Sequence, residues 1–126
     1  MNMLLLRFAA ALALLLAACV EPPVVETKVI VGGTLIDGVN APLPHSVIVI
    51  REGRIAAAGP QQSTPIPAGS EKTDGSGKYV AAANRGMRIE PGAPADLLLL
   101  SANPLERPEN YEKIERRMIA GKWLDK

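Results

Sequence analysis

Few side chains in this sequence could do chemistry, and the first to consider is a single histidine. His45 is the only histidine among the 126 residues, and Cys19 is the only cysteine. A hydrolytic metal site needs about three protein ligands and an open position for water, and histidine and cysteine supply most such ligands. No spacing brings carboxylates to His45, which lies between two loop-type residues. We therefore expect a loop histidine, no metal site and no catalytic residue.

Two aspartates and a tryptophan are the other candidates, and each has a structural interpretation. Asp37 precedes Gly38, where an aspartate usually stabilises a turn. Asp96 begins an apolar run, and we expect it to accept hydrogen bonds from backbone amides across a turn. Trp123 could stack on a ligand, but it is the main large aromatic residue and is expected to fill a small core. Gly32-Gly33 is not a phosphate-binding loop, because no helix-starting pattern follows it.

The N-terminal segment has the features of an export signal that ends in a lipid-modified cysteine. Arg7 precedes an apolar run over residues 8–18, which is shorter than the roughly 20 residues of a membrane span. The run ends in Leu16-Ala17-Ala18-Cys19, which resembles a bacterial lipoprotein box. We expect cleavage before Cys19 and acylation of its thiol and freed amine, which together give stable membrane anchoring. Alternatively, Cys19 is an ordinary apolar residue at the end of a signal or anchor helix.

These features divide the chain into a signal peptide (1–18), a tether (19–26) and one small domain (27–126). The protein is thus expected to be exported and anchored to the bacterial cell envelope through lipid. The residue after the cysteine is Val20 and not an aspartate. In a cell that has an outer membrane, this favours the outer membrane as the destination. Without Arg7, the 14 basic residues fall to 13 and equal the 13 acidic ones. This neutral balance argues against nucleic acid as a partner.

Short strand signals separated by glycine turns predict a mostly β fold, a small sandwich or open barrel. Two hairpins are predicted where a two-residue turn containing glycine joins two apolar runs, at Glu52-Gly53 and Ala120-Gly121. The continuous apolar run of residues 95–100 suits a strand covered on both faces. Only residues 109–117 have a weak helical tendency. The predicted strands cover residues 27–31, 34–38 (which ends in a turn signal), 46–51, 54–58, 71–73, 78–80, 95–100, 114–119 and 122–124.

Several of these segments resemble the small β-domain of the amidohydrolase family, in the same order. Val29–Gly38 and Val47–Gly59 resemble its opening strands and next hairpin, and Asp74–Val80 resembles the segment that leads into the family's catalytic barrel. Ile89–Leu100 resembles the strand that returns after the barrel. The closing elements are similar to residues 101–105 and 119–124. The resemblance implies a hydrolase family that acts on carbon–nitrogen bonds other than peptide bonds and usually binds zinc or another divalent metal.

The resemblance stops where the barrel should begin. Family members enter the barrel with a Pro-Gly-Leu-Ile-Asp segment and a His-X-His pair, and further histidines, a bridging lysine or acidic ligand and a late aspartate complete their metal site. No position of this sequence matches those residues, and a barrel needs roughly 200 residues or more. Residues 81–85 are therefore expected to mark the junction of an internal deletion. No cofactor is expected in this chain.

Three interpretations remain open from the sequence. The chain is a residual amidohydrolase-type lipoprotein without hydrolysis of its own, or it is a binding and assembly module. In the second case, apolar surface left by the missing barrel pairs with another copy or with a full-length amidohydrolase. The third is an enzyme that borrows a barrel from another chain.

Overall fold

The computed structural model describes residues 25–124, which form a mostly β domain. Its strands are short, and a single 3₁₀-helix interrupts them within this range. The elements are β1 (Thr27–Val31), β2 (Thr34–Ile36), β3 (Ser46–Arg51), β4 (Arg54–Pro60), β5 (Glu71–Asp74), β6 (Tyr79–Ala82), β7 (Leu97–Leu100), the 3₁₀-helix Pro108–Glu112, β8 (Ile114–Ile119) and β9 (Lys122–Leu124). No helix in the described range is long and apolar enough to cross a membrane.

The strands form two mixed sheets. The first sheet has the order β4-β3-β1-β5, and the second has the order β2-β6-β7-β8-β9. Only the β1–β5 and β2–β6 pairs are parallel, and the other neighbours are antiparallel. The two sheets do not close into a barrel. The structure thus confirms the mostly β class predicted from the sequence.

The chain passes from the first sheet to the second at two neighbouring places, and glycines make this close approach sterically possible. The chain passes from β1 to β2 through Gly32-Gly33, and from β5 to β6 through a turn that contains Gly75. A Cβ atom on Gly33 would lie 3.2 Å from the Gly75 carbonyl oxygen, and one on Gly75 would lie 3.2 Å from the Gly33 nitrogen. Close backbone approach is therefore the role of the Gly32-Gly33 pair.

The main core lies between the two sheets. Alternate residues of β1 and β3 face alternate residues of β6, β7 and β8, as expected when side chains alternate between faces along a strand. The buried members include Ile30, Ile48, Ile50, Ile55, Val80, Leu97, Leu99 and Met118. Each buried aliphatic side chain of this size contributes about 1.5–3 kcal/mol through removal of apolar surface from water.

Each sheet also buries apolar side chains on its outer face. On the first sheet, Val29, Val47 and Val49 pack with Ile66 of the long loop after β4. On the second sheet, Ile36, Ala81, Leu98 and Leu100 pack with Tyr79, Ala83, Tyr111 and Ile114. This second cover explains why all four residues of β7 are buried. The prediction of a strand covered on both faces is confirmed.

Segments outside the strands cover part of the outer face of each sheet. Ile66 of the loop after β4 packs on the first sheet, and Tyr111 of the 3₁₀-helix packs on the second. Among the described residues, the large apolar side chains that stay exposed are Val25, Val39, Leu105, Ile119 and Leu124. Apolar exposure is thus limited to a few positions, two of which belong to the β8–β9 hairpin.

Both predicted hairpins form with the predicted turn residues. Glu52 and Gly53 have φ values of 51° and 76°, and Ala120 and Gly121 have values of 48° and 78°. Two successive residues with positive φ are typical of the type I′ turn, whose twist matches that of the strands. Several strand boundaries differ from expectation by one or two residues. The strand predicted from Ala95 begins at Leu97, and the weakly helical segment is a 3₁₀-helix that ends at Glu112, followed by β8.

Candidate functional site

His45 lies at the entrance to β3, where its backbone has a role in the fold. The residue is exposed and has a φ of 52°, and its carbonyl oxygen accepts a hydrogen bond from the Gln61 amide at 3.0 Å. Within residues 25–124, no group of three or more histidine, cysteine, aspartate or glutamate side chains could hold a metal ion. These residues therefore do not fit the divalent metal that the family resemblance implies.

Asp37 stabilises the turn after β2, as the sequence predicts. Its Oδ1 accepts hydrogen bonds from the Val39 and Asn40 amides at 2.8 and 2.7 Å, and its Oδ2 accepts one from Asn40 Nδ2 at 2.8 Å. Partial burial raises the pKa of Asp37, but these hydrogen bonds outweigh it and hold the pKa below its ordinary value. The carboxylate therefore accepts hydrogen bonds within the turn, through both of its oxygens.

Asp96 also has the predicted role, acting across a turn. Its Oδ1 accepts a hydrogen bond from the Ala120 amide at 2.7 Å, in the turn between β8 and β9. Its backbone carbonyl accepts a second hydrogen bond from the Ala83 amide at 2.9 Å. The residue therefore joins three segments of the second sheet by hydrogen bonds.

Trp123 packs against the main core, which agrees with its predicted structural role. It lies opposite Met118 in the β8–β9 pair and is half-buried. The Arg116 guanidinium lies 4.1 Å from the centroid of its ring, within the range of a cation–π interaction. The ring therefore contacts both the main core and the Arg116 guanidinium.

Cys19 lies outside the residues that the structure describes, together with the predicted signal peptide and most of the predicted tether. Lipidation of Cys19 remains a prediction from the sequence. The described domain begins only a few residues after this position, at Val25. The lipid-modified cysteine would hold the domain close to the membrane surface.

The junction predicted near residues 81–85 leads from β6 back to its neighbour β7. These strands pair antiparallel from Tyr79–Leu100 to Ala82–Leu97. Ile89 attaches the connection between them to the domain by two contacts. Its amide donates to the Asp37 carbonyl oxygen at 3.2 Å, and its side chain is buried in the main core. Segments from the two sides of the junction therefore form one antiparallel pair in one sheet.

A groove beside this junction is the feature that sequence reasoning missed. Arg85, Arg88 and Tyr111 line it, together with small residues of β6. The sequence signal is modest: two arginines lie three positions apart around Gly86, shortly after a run of alanines. Tyr111 joins them only through the fold, because it belongs to the 3₁₀-helix Pro108–Glu112.

Comparisons with known proteins add a limited similarity. No protein-family model matches this sequence, and no curated protein matches it. Among solved structures, molinate hydrolase is 35% identical over 47% of this chain and 13% of its own, with a TM-score of 0.43. Phenylurea hydrolase B is 34% identical over 46% of this chain and 13% of its own, with a TM-score of 0.43.

D-hydantoinase is 28% identical over 45% of this chain and 11% of its own, with a TM-score of 0.38. These neighbours are amidohydrolase-family enzymes, matched at low coverage. The chain spans between 11% and 13% of their length. With TM-scores below 0.5, the similarity does not by itself assign a family or an activity to this chain.

Proposed function

We propose that this chain is an exported, lipid-anchored β-domain of the amidohydrolase type that does not catalyse hydrolysis on its own. The observation that carries the proposal is the direct pairing of β6 with β7. In the family that the sequence resembles, the barrel is inserted between the segments similar to these strands. Here a connection over residues 83–96, whose Ile89 side chain is buried in the core, takes its place.

The content of ionisable side chains supports the absence of hydrolysis. The family's reaction cleaves carbon–nitrogen bonds with a metal-bound water, which requires several histidine and carboxylate ligands in one place. This sequence has one histidine, and it lies in an exposed turn. The two most prominent aspartates, Asp37 and Asp96, are already hydrogen-bonded to backbone amides.

Elemental analysis and substrate turnover test this proposal. The full chain, isolated in non-ionic detergent and dialysed against zinc, should retain far less than one metal ion per chain and should not hydrolyse hydantoin or a simple amide. A His45→Ala variant is the matched control, because His45 is the only histidine. One metal ion per chain that is lost in His45→Ala, together with turnover, would contradict the proposal.

A second candidate function is an assembly module that pairs with another copy of itself. The observation in its favour is an exposed apolar pair on the outer face of the β8–β9 hairpin. Met118 is fully buried on the inner face, so its neighbour Ile119 lies on the opposite face, as does Leu124. They are 39% and 44% exposed, and β9 is the edge strand of its sheet.

Cross-linking in native membranes, followed by sizing, tests this second function. A dimer that disappears in an Ile119→Lys, Leu124→Lys double variant supports pairing through the hairpin. Val39→Lys is the control, since Val39 is 58% exposed but lies in a separate turn. A wild-type chain that stays monomeric would contradict the second function. If the chain cross-links only to a full-length amidohydrolase, its partner is that relative and not another copy.

A further inference from the structure

The groove beside the β6–β7 connection has the dimensions of a small-ligand site. Its volume is about 330 Å³, at the lower end of the range for pockets that hold small molecules. One side is formed by the connection itself and the other by the 3₁₀-helix. Its lining residues include Ile36, Ala81, Asn84, Arg85, Arg88 and Tyr111.

The floor of the groove is apolar. Ile36 and Ala81 lie opposite each other on β2 and β6, on the outer face of the second sheet. They are 8% and 2% exposed, and Tyr111 packs against the same cluster. Ala81 has a short side chain, which leaves space above β6 on this face, whereas the side chain of Ala82 packs against the main core. The floor therefore suits a compact apolar group.

The rim of the groove is cationic. Arg85 and Arg88 both line it, and no aspartate or glutamate does. The Arg85 guanidinium lies 4.5 Å from the centroid of the Tyr111 ring, which holds the cation at the edge of the groove. In the described part of the chain, neither arginine has a carboxylate within ion-pair distance. Both guanidinium groups are thus available for an anion from outside.

Asn84 is another polar side chain that lines the groove. Asn84 Nδ2 donates to Met87 Sδ at 3.4 Å, and a thioether is a weak acceptor. A carboxylate offers two oxygens in the geometry that a guanidinium binds best, through two parallel hydrogen bonds. Cationic donors above an apolar floor select a ligand that combines a carboxylate with a compact apolar body.

We propose that this groove binds a small monocarboxylate with a compact apolar body, of the aromatic or short branched-chain type. The carboxylate is bound by Arg85 and Arg88, and the apolar body lies over Ile36 and Ala81. This binding goes beyond the proposed function of the chain and involves no bond making or breaking. It also requires neither a metal nor a barrel.

A titration of the full chain in non-ionic detergent, followed by NMR of the backbone amides, tests the proposal. Benzoate should cause saturable shifts at the amides of residues 81–88. Benzyl alcohol, which keeps the ring and lacks the charge, should bind about tenfold more weakly. Inorganic phosphate, which keeps charge and lacks the apolar body, should also bind more weakly than benzoate.

Three variants assign the effect to the groove. Arg85→Gln and Arg88→Gln should each weaken benzoate binding by about tenfold, because each removes a charged hydrogen-bond donor. Arg51→Gln is the matched control, since Arg51 is exposed on the other sheet, and it should leave binding unchanged. The proposal is wrong if benzoate gives no saturable shift, if either probe binds as tightly as benzoate, or if Arg51→Gln weakens binding as much as Arg88→Gln.

Discussion

Gly53 and Gly121 lie in contact although they belong to hairpins of different sheets. A Cβ atom on Gly121 would lie 2.9 Å from the Gly53 Cα and 3.2 Å from its nitrogen. Ala95 joins the two turns, since its amide donates to the Gly53 carbonyl at 2.9 Å and its carbonyl accepts from the Gly121 amide at 3.0 Å. The two sheets are therefore fastened together at this end by backbone contacts.

Gly121→Ala should destabilise the domain by about 1–3 kcal/mol. The residue has a φ of 78°, which costs free energy for any side chain, and its Cβ would also meet the Gly53 backbone. Gly69→Ala is the matched control, because Gly69 has a φ of 77° and nothing within 4 Å of its would-be Cβ. Urea unfolding should show a larger loss for Gly121→Ala, and equal losses would contradict the contact.

Asp96→Ala should lower the free energy of unfolding by about 1–3 kcal/mol, since it leaves the Ala120 amide without its acceptor. Asp96→Asn keeps a side-chain oxygen at the same position and should lose clearly less. Thermal unfolding of both variants measures the difference. If Asp96→Asn were as unstable as Asp96→Ala, the charge rather than the hydrogen bond would be responsible.

Asp37 should make stability depend on pH in the acid range. Its folded-state pKa lies below the ordinary 3.8, so its contribution is complete above that value and is lost as pH falls through the folded pKa. Asp74 has the same direction of shift, through hydrogen bonds from Ser76. The difference in the free energy of unfolding between neutral and acid pH should therefore be smaller in Asp37→Asn than in the wild type, but it should not vanish. Unfolding curves at several pH values measure this change, and an unaltered gap would contradict it.

Cys19→Ala should release the protein from the membrane fraction or leave it uncleaved, because the lipid acceptor is gone. The wild-type chain should be processed before Cys19 and carry acyl chains, which intact-mass measurement detects. Two or more acyl chains give stable anchoring, whereas one gives only marginal binding. Ser63→Ala, a substitution at an exposed loop position, is the matched control and should stay in the membrane fraction at the wild-type level. A Cys19→Ala chain that is still cleaved and stays in the membrane at the wild-type level, or a wild-type chain without acyl chains, would exclude the lipid anchor.

Local patterns predicted most of the elements of this domain. The two glycine-containing turns predicted their hairpins, because positive φ at two successive residues favours one type of turn irrespective of the rest of the chain. The turn role of Asp37 and the fully buried strand at Leu97–Leu100 followed from neighbours along the sequence. Asp96 was predicted to accept an amide across a turn, but the sequence did not identify the Ala120 amide as the donor.

The sequence by itself determined the β class, the hairpins, the near-neutral charge and the shortage of metal ligands, since these depend on residue types and on near neighbours. Tertiary structure decided which strand joins which sheet, the contact of Gly53 with Gly121, and the groove that brings Arg85 to Tyr111. It also decided that Ile66 and Tyr111 are among the residues that cover the outer faces of the sheets. The physical reason is that these contacts join residues far apart in the chain, and their partners are selected by packing and not by local backbone preference.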